Sequence, residues 1–271
     1  MTESSSMTRH EHHKIRHSVV LRMIEVLRTT RITPHMQRIV FGGAELHGFL
    51  SAAPDDHVKL FLPNTQGEMV LPKMGPNGPE FPVGVAPSPA RDYTPRDYDP
   101  QSNELTIDFV IHGDGPASTW AERAKPGEHI AIGGPRGSFV TADDFDHYVL
   151  IGDETALPAI GRRLDEAHAG TRMTVLAEIP KKADRQPLGS QADFHVTWLE
   201  RDGLAATESR LLEQALEELS LPAGDTFYWI AAESRRARSM RQYLADKRGV
   251  PKDWIRSTGY WQANGDEDED E

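Results

Sequence analysis

The hydrophobic pattern of the chain changes character near residue 143, and this restricts the fold more than any single motif does. Before that point, short β-leaning runs at residues 19–26, 38–41, 57–63, 105–111 and 129–132 are separated by Gly- and Pro-containing stretches. Within 57–63, Val58, Leu60 and Leu62 alternate with His57, Lys59 and Phe61, the two-residue period of a half-buried strand. Many short strands divided by turn residues predict an antiparallel β-barrel. Residues 67–88 repeat Gly and Pro with little periodicity and read as one long loop. Beyond residue 143, strands at 148–152, 172–179, 194–199, 226–232 and 254–257 alternate with helices at 155–169, 207–219 and 236–248. Pro158 falls in the first turn of the first helix, where its missing N–H breaks no helical bond. This alternation predicts an α/β domain with a mostly parallel sheet covered on both faces. The expected division is an arm at 1–17, a barrel domain at 18–142, an α/β domain at 143–265 and a tail at 266–271.

Charge and composition narrow the function classes. Lys and Arg number 30 against 42 Asp and Glu, a net charge of -12, and the six terminal residues 266–271 are all acidic. The rest of the chain carries an ordinary solubility charge, the wrong sign for a general nucleic-acid binder. The absence of cysteine rules out disulfides, thiolate chemistry and iron–sulfur ligation by the chain, so one-electron chemistry requires an organic cofactor. No apolar run reaches the length of a membrane span, and the polar, His-rich start lacks a signal peptide's apolar core. A cytoplasmic monomer is expected. Four of the twelve histidines occur by His17; a metal site is conceivable there, but a disordered arm is the expectation.

Two stretches point to a ligand. In Arg91-Asp92-Tyr93-Thr94, Arg91 and Tyr93 leave a strand on the same face, so a guanidinium fork, a phenol and a hydroxyl can meet one flat anionic molecule. In Gly113-Asp114-Gly115-Pro116-Ala117-Ser118, small residues let backbone N–H groups approach a diphosphate, and a helix starting at Thr119 would turn its positive end toward it. Each has a plain alternative. Arg91 can be a solvated strand arginine, Tyr93 and Thr94 cross-strand packing, and the glycine run a turn.

With the later motifs included, the chain resembles the siderophore-interacting flavoproteins, or ferric-siderophore reductases, of the ferredoxin-reductase-like superfamily. The resemblance rests on Arg91-Asp92-Tyr93-Thr94, the stretch from Asp108 to His112, Gly115 to Ala121, Gly133-Gly134-Pro135-Arg136-Gly137, Gly152-Asp153-Glu154-Thr155-Ala156-Leu157-Pro158 and Gly259-Tyr260-Trp261. It covers about residues 18–265 and implies a β-barrel that binds FAD, followed by a domain that accepts NADPH, NADH or another donor such as ferredoxin. It places Arg91 on the FAD phosphates, Tyr93 against the isoalloxazine and Thr94 near its N5 edge. Asp108, Val110 and His112 would run along the ribityl and diphosphate portion, with Gly115, Pro116, Ala117 and Ser118 as the diphosphate loop. Thr155 would approach the flavin and Trp261 would lie over it, whereas Trp120 reads as a core anchor.

The remaining assignments weigh function against structure. Asp108 in a strand can simply face water, and Thr155 can be an ordinary helix cap. Glu233, Arg235, Arg236 and Arg238 follow a strand of the second domain, where arginines could meet a nicotinamide nucleotide or could be a solvated helix face. Lys181, Lys182 and Arg185 form a second basic cluster with the same two readings. No Gly-x-Gly-x-x-Gly fingerprint is present. For substrate, the resemblance suggests a basic, shallow pocket for a ferric siderophore, carried here by Lys59 and Arg136. The family's Tyr-Trp-Arg reads Tyr260-Trp261-Gln262, so one expected cation is missing. The reading is an NAD(P)H-dependent ferric-siderophore reductase with no identified catalytic proton donor and no protein-bound metal. The alternatives are a flavin reductase serving a protein or quinone-like acceptor, and a non-enzymatic siderophore-binding module.

Overall fold

The computed structural model describes residues 9–75, 78–113, 115–220 and 223–263. The first eight residues and the acidic tail, both expected to be disordered, lie outside the described residues. Two compact units are present: Lys14–Val140, and the residues from Thr141 onward joined by those up to His13.

The first unit contains β1 (His13–Arg16), β2 (Leu21–Thr33), β3 (Met36–Gly42), β4 (Val58–Phe61), β5 (Lys73–Gly75), β6 (Gly78–Glu80), β7 (Ala90–Tyr93), β8 (Asp97–Asp99), β9 (Glu104–Val110), α1 (Pro116–Arg123), β10 (His129–Gly133) and β11 (Gly137–Val140). Seven of these form an antiparallel sheet in the order β7-β4-β10-β2-β3-β9-β8, and β1 pairs with β11. In a flat sheet, β7 and β9 would stand roughly 24 Å apart at about 4.8 Å per strand. Instead the Tyr93 and Phe109 rings have centroids 4.5 Å apart, so the sheet is curled into a barrel. A bulge at Leu27, where Val26 pairs with Phe41 and Arg28 with Val40, provides some of that bending. Ile24, Val26, Ile39, Phe41, Val58, Leu60, Ile107, Phe109, Ile130 and Ile132 fill the interior.

The second unit contains β12 (His147–Gly152), α2 (Leu157–Glu166), β13 (Arg172–Ile179), β14 (Asp193–Glu200), α3 (Leu211–Glu218), β15 (Thr226–Glu233), α4 (Ser234–Gln242) and β16 (Ile255–Trp261). Its sheet, in the order β14-β13-β12-β15-β16, is parallel throughout. Every residue of β12 and β15 is buried, which explains why these central strands read as unbroken apolar runs. Gly152 ends β12 where any Cβ would lie 2.8 Å from the Ala231 carbonyl oxygen and collide with the Ala156 Cβ. The turn into α2 thus has room only for glycine.

Several local expectations change. The arm does not extend through His17: His10 stacks on Phe145 with ring centroids 3.8 Å apart, its ring nitrogens lie 2.8 Å from Asp144 and 3.1 Å from Asp225, and β1 begins at His13. Buried ring area and two carboxylate partners fix a segment whose polar composition carries no sign of them. Among the described residues no group of three or more His, Asp or Glu side chains suited to a metal occurs. The long loop at 67–88 contains the short β5–β6 hairpin and is pinned where Val70 N–H donates to Ser88 Oγ at 2.9 Å. The last strand runs on to Trp261 rather than ending at 257, because it continues to pair with β15.

Candidate functional site

The barrel leaves a seam. Among the described residues, strand β7 pairs only with β4, and β9 pairs with β8 only through Glu104, Leu105 and Thr106. The backbone of β7 and of residues 107–110 therefore presents unpaired edge groups, which must find partners in solvent or in a ligand. Arg91, Tyr93 and Thr94 come from one side of this seam, and Asp108, Val110 and His112 from the other. Tyr93 packs on Phe109, and burial pushes its phenol above the ordinary range, only partly offset by Arg91. Thr94 is buried, and its hydroxyl has no hydrogen-bond partner among the described residues. Arg91 is exposed; among the described residues its guanidinium donates only to the carbonyl of Ala90, at 2.7 Å.

Asp108 does not face water. Both of its oxygens accept from Arg38, Oδ1 from Nε and Oδ2 from an Nη, each at 2.7 Å, across the β3–β9 register that sets the two residues opposite each other. A bidentate pair with its acid buried fixes the β9 edge, so the Asp108 carboxylate is held by Arg38 rather than turned to water. Arg38 escaped the sequence reading because no spacing rule links residues 70 apart; only the strand register does. Val110 is half-buried at the end of β9 and His112 is exposed beyond it. The His112 N–H donates to the buried Ser118 Oγ at 3.0 Å. Gly115, at φ 82°, caps α1 and Pro116 and Ala117 open it. Here Ser118 braces the loop, and the first N–H groups of α1 have no partner within the helix itself.

Lys59 lies opposite Asp92 and pairs with it at 3.1 Å, both side chains about half exposed at 47% and 49%. Alternation puts this pair on the sheet face away from Tyr93. Arg136 is exposed in the turn between β10 and β11, and its guanidinium has no ion pair among the described residues.

In the second unit, the ends of β12, β13 and β15 carry a closed set of charges. Asp153, 1% exposed, accepts from the Thr155 hydroxyl at 2.5 Å, the Thr155 N–H at 2.9 Å and Trp261 Nε1 at 2.8 Å. Burial, with Glu154 adding to it, raises its pKa from 3.8 to about 6 despite these donors. Thr155 and Trp261 are thus joined through a carboxylate to which the sequence reading gave no role. The turn they share delays α2 until Leu157.

Glu178 is fully buried and accepts from Arg236 at 2.7 and 3.0 Å, from Arg201 at 3.1 Å and from Ser209 at 3.0 Å. Arg236 also forks onto Glu213 at 2.9 Å for each bond, and Arg201 onto Glu154 at 2.8 and 2.5 Å. Burial alone would raise the Glu178 pKa; the Arg236 guanidinium outweighs it and holds the group below its ordinary value. Two of the nucleotide candidates are therefore committed elsewhere. Arg236 is locked in this network, and Glu233 caps α4 by accepting from the Arg235 and Arg236 N–H groups at 2.8 and 3.0 Å. Arg235 and Arg238 are exposed on α4. In the other basic cluster, Arg185 is held by Glu200, while Lys181 and Lys182 are exposed.

An antiparallel barrel followed by a five-stranded parallel α/β unit defines the ferredoxin-reductase-like class. The ferredoxin reductase in carbazole 1,9a-dioxygenase superposes with a TM-score of 0.61 over 90% of this chain and 70% of that one, at 15% identity, a likeness of fold alone. A model of the siderophore-interacting FAD-binding domain matches residues 25–139, and one of the siderophore-interacting protein matches residues 145–264. The chain belongs to the siderophore-interacting protein family. A siderophore utilization protein from T. fusca superposes with a TM-score of 0.87 at 37% identity, covering 94% of this chain and 97% of that one. The NADPH-dependent ferric-chelate reductase of Escherichia coli is 35% identical over 92% of this chain and 96% of its own length.

Proposed function

We propose that the protein is an FAD-dependent ferric-siderophore reductase that takes electrons from NADPH and releases iron as Fe(II). The observation that carries this reading is the barrel seam, where the Arg91 guanidinium, bonded to its neighbour's carbonyl, the hydroxyl of the largely buried Thr94 and two open strand edges converge beside a helix N-terminus. That donor set fits FAD: Arg91 and the α1 N–H groups suit the diphosphate, Tyr93 offers a ring face, and Thr94 offers a hydroxyl to the ring's polar edge. Bound FAD would supply the conversion of a two-electron hydride donation into one-electron reductions of Fe(III). Family membership and the name of the Escherichia coli relative support the same chemistry.

In this reading the chain's own work is positional. Tyr93, held by Phe109, keeps water from one ring face, and the Arg38–Asp108 pair holds the facing strand edge in register. Arg136, with Lys59 as the weaker partner because Asp92 already neutralises it, attracts an anionic ferric chelate. Arg235 and Arg238 are the cations offered to the nucleotide phosphate, and Thr155 and Trp261 are linked through Asp153. The barrel domain holds FAD and the α/β domain receives the donor, NADPH here, with reduced ferredoxin the other class it could serve. The proposed working form is a cytoplasmic monomer; no helix among the described residues is long and apolar enough to cross a membrane.

The test is anaerobic. NADPH should bleach the flavin absorbance of the purified protein, and a ferric catecholate or hydroxamate should then restore it while an Fe(II) chromogen develops. A flavin reduced by NADPH but not reoxidised by any ferric chelate would refute the substrate assignment. If the denatured protein releases FMN, the FAD assignment fails.

A further inference from the structure

Arg22 sits on the inner face of the barrel sheet. In the register it lies beside Ile132, which in turn lies beside Leu60, and all three are buried. A guanidinium in such a row needs partners, and Arg22 has poor ones. Its Nη groups reach the carbonyls of Val20 and Gly48 only at 3.3 and 3.5 Å, the ring of Phe49 lies 5.6 Å from its Cζ, and the buried Nε has no hydrogen-bond partner among the described residues. Leaving a buried donor unmatched costs about 1–3 kcal/mol, so the position calls for an acceptor. Burial also pushes the Arg22 pKa down, with Tyr98 and Glu45 only opposing it.

Arg22 lines a recess of about 290 Å³ with Arg16, His17, Ser18, Val20, Gly48, Leu50, Gly134 and Pro135. None of these carries a carboxylate, in a chain whose net charge is -12. His17 is pre-oriented. Ser138 Oγ donates to Asp56 at 2.6 Å, so it accepts from His17 Nε2 at 2.7 Å, which leaves Nδ1 as the ring's remaining polar atom. Arg16 is exposed with no ion pair among the described residues. The rim is apolar, with Val20 42% and Leu50 57% exposed. At about 30 Å³ per water, the recess has room for roughly ten non-hydrogen atoms. It shares no residue with the seam or with Lys59 and Arg136.

We propose that this recess is a binding site for a small organic carboxylate, its oxygens taken by Arg22 Nε and Arg16 and its short apolar body lying on Val20 and Leu50.

The test is isothermal titration of the full-length, flavin-loaded protein at low ionic strength with sodium hexanoate. Sodium acetate, sodium phosphate and neutral hexanamide are run in parallel. Saturable one-site binding of hexanoate is expected, weaker binding of acetate and phosphate, and none of hexanamide. A charged hydrogen bond is worth about 1.5–3 kcal/mol, so Arg22→Met should weaken hexanoate about tenfold or more; Arg16→Ala should weaken it in the same direction. Leu50→Ser should weaken hexanoate while leaving acetate unchanged. Arg16 and Leu50 are exposed, so these two variants decide the matter even if Arg22→Met does not fold. The proposal is overturned if hexanoate gives no saturable heat, if hexanamide binds as well, or if Arg16→Ala and Leu50→Ser leave hexanoate binding intact. Phosphate binding more tightly than hexanoate would overturn it too, in favour of an inorganic anion site.

Discussion

The barrel seam and the charged pole of the α/β unit hold similar residues and use them in opposite ways. At the pole, Glu178, Glu154 and Glu213 meet Arg201 and Arg236 in a network that lies almost wholly out of water. At the seam, Arg91 bonds only its own neighbour's carbonyl, and Thr94 keeps its hydroxyl unspent. A buried charge must be matched inside the protein because desolvation costs several kcal/mol per ion; an exposed one can remain available. Arginine next to a strand end is therefore ambiguous by itself. Burial and partners decide whether it belongs to the fold or to a ligand.

Removing Glu178 should give the largest effect. Glu178→Ala leaves Arg236 and Arg201 buried beside fewer acceptors, and breaking a buried pair costs about 3–5 kcal/mol. Urea denaturation should show that loss, with flavin affinity of the folded protein unchanged. A loss below about 1 kcal/mol, the range of surface pairs, would mean that the pole is as open as the seam.

Asp153 tests the same pole by pH. Its folded pKa is raised to about 6 from 3.8, so the native state holds the proton more tightly than the unfolded chain does. Its contribution is therefore fully present below about pH 4 and is lost as pH rises to about 6, with a total on the order of 2–3 kcal/mol. Compared with Asp153→Asn, the wild type should lose stability across that window. Parallel stability curves for the two proteins would show that the carboxyl is not perturbed.

At the seam the same kind of deletion should spare the fold. Arg91→Ala should weaken FAD binding about tenfold to a hundredfold, the worth of one or two charged hydrogen bonds, with the melting temperature of the flavin-free protein nearly unchanged. Fluorescence titration of the apoprotein with FAD measures the first quantity. A large drop in apoprotein stability would place Arg91 with the structural arginines.

The smallest expected effect separates two exposed cations. Arg136→Ala should raise KM for an anionic ferric chelate about fivefold, since a charge contact in water is worth about 1 kcal/mol. Lys59→Ala should do less, because Asp92 already sits 3.1 Å away. Neither should slow flavin reduction by NADPH, and added salt should shrink both differences. Equal responses with a neutral chelate would remove the electrostatic role.

The sequence by itself determined the architecture. Two-residue alternation in Val58, Leu60 and Leu62, and the apolar runs inside β12 and β15, specify a half-buried antiparallel strand and fully buried parallel ones, because each face of a strand records its own environment. It also put Arg91 and Tyr93 on one strand face, and a helix after the glycine run with its start at Thr119, which the structure moves back to Pro116. Tertiary structure decided which polar groups were left over. The pairing of Arg38 with Asp108, of Arg236 with Glu178 and Glu213, and of Trp261 with Asp153 joins residues whose separation in the chain carries no periodic signal. Only strand register and sheet curl bring them within hydrogen-bonding distance. The same holds for His10, whose polar surroundings in the chain suggest an arm but whose ring is fixed by Phe145, Asp144 and Asp225. Local periodicity reports how a residue is buried, while the identity of its partner is a long-range property that follows only once the chain has closed on itself.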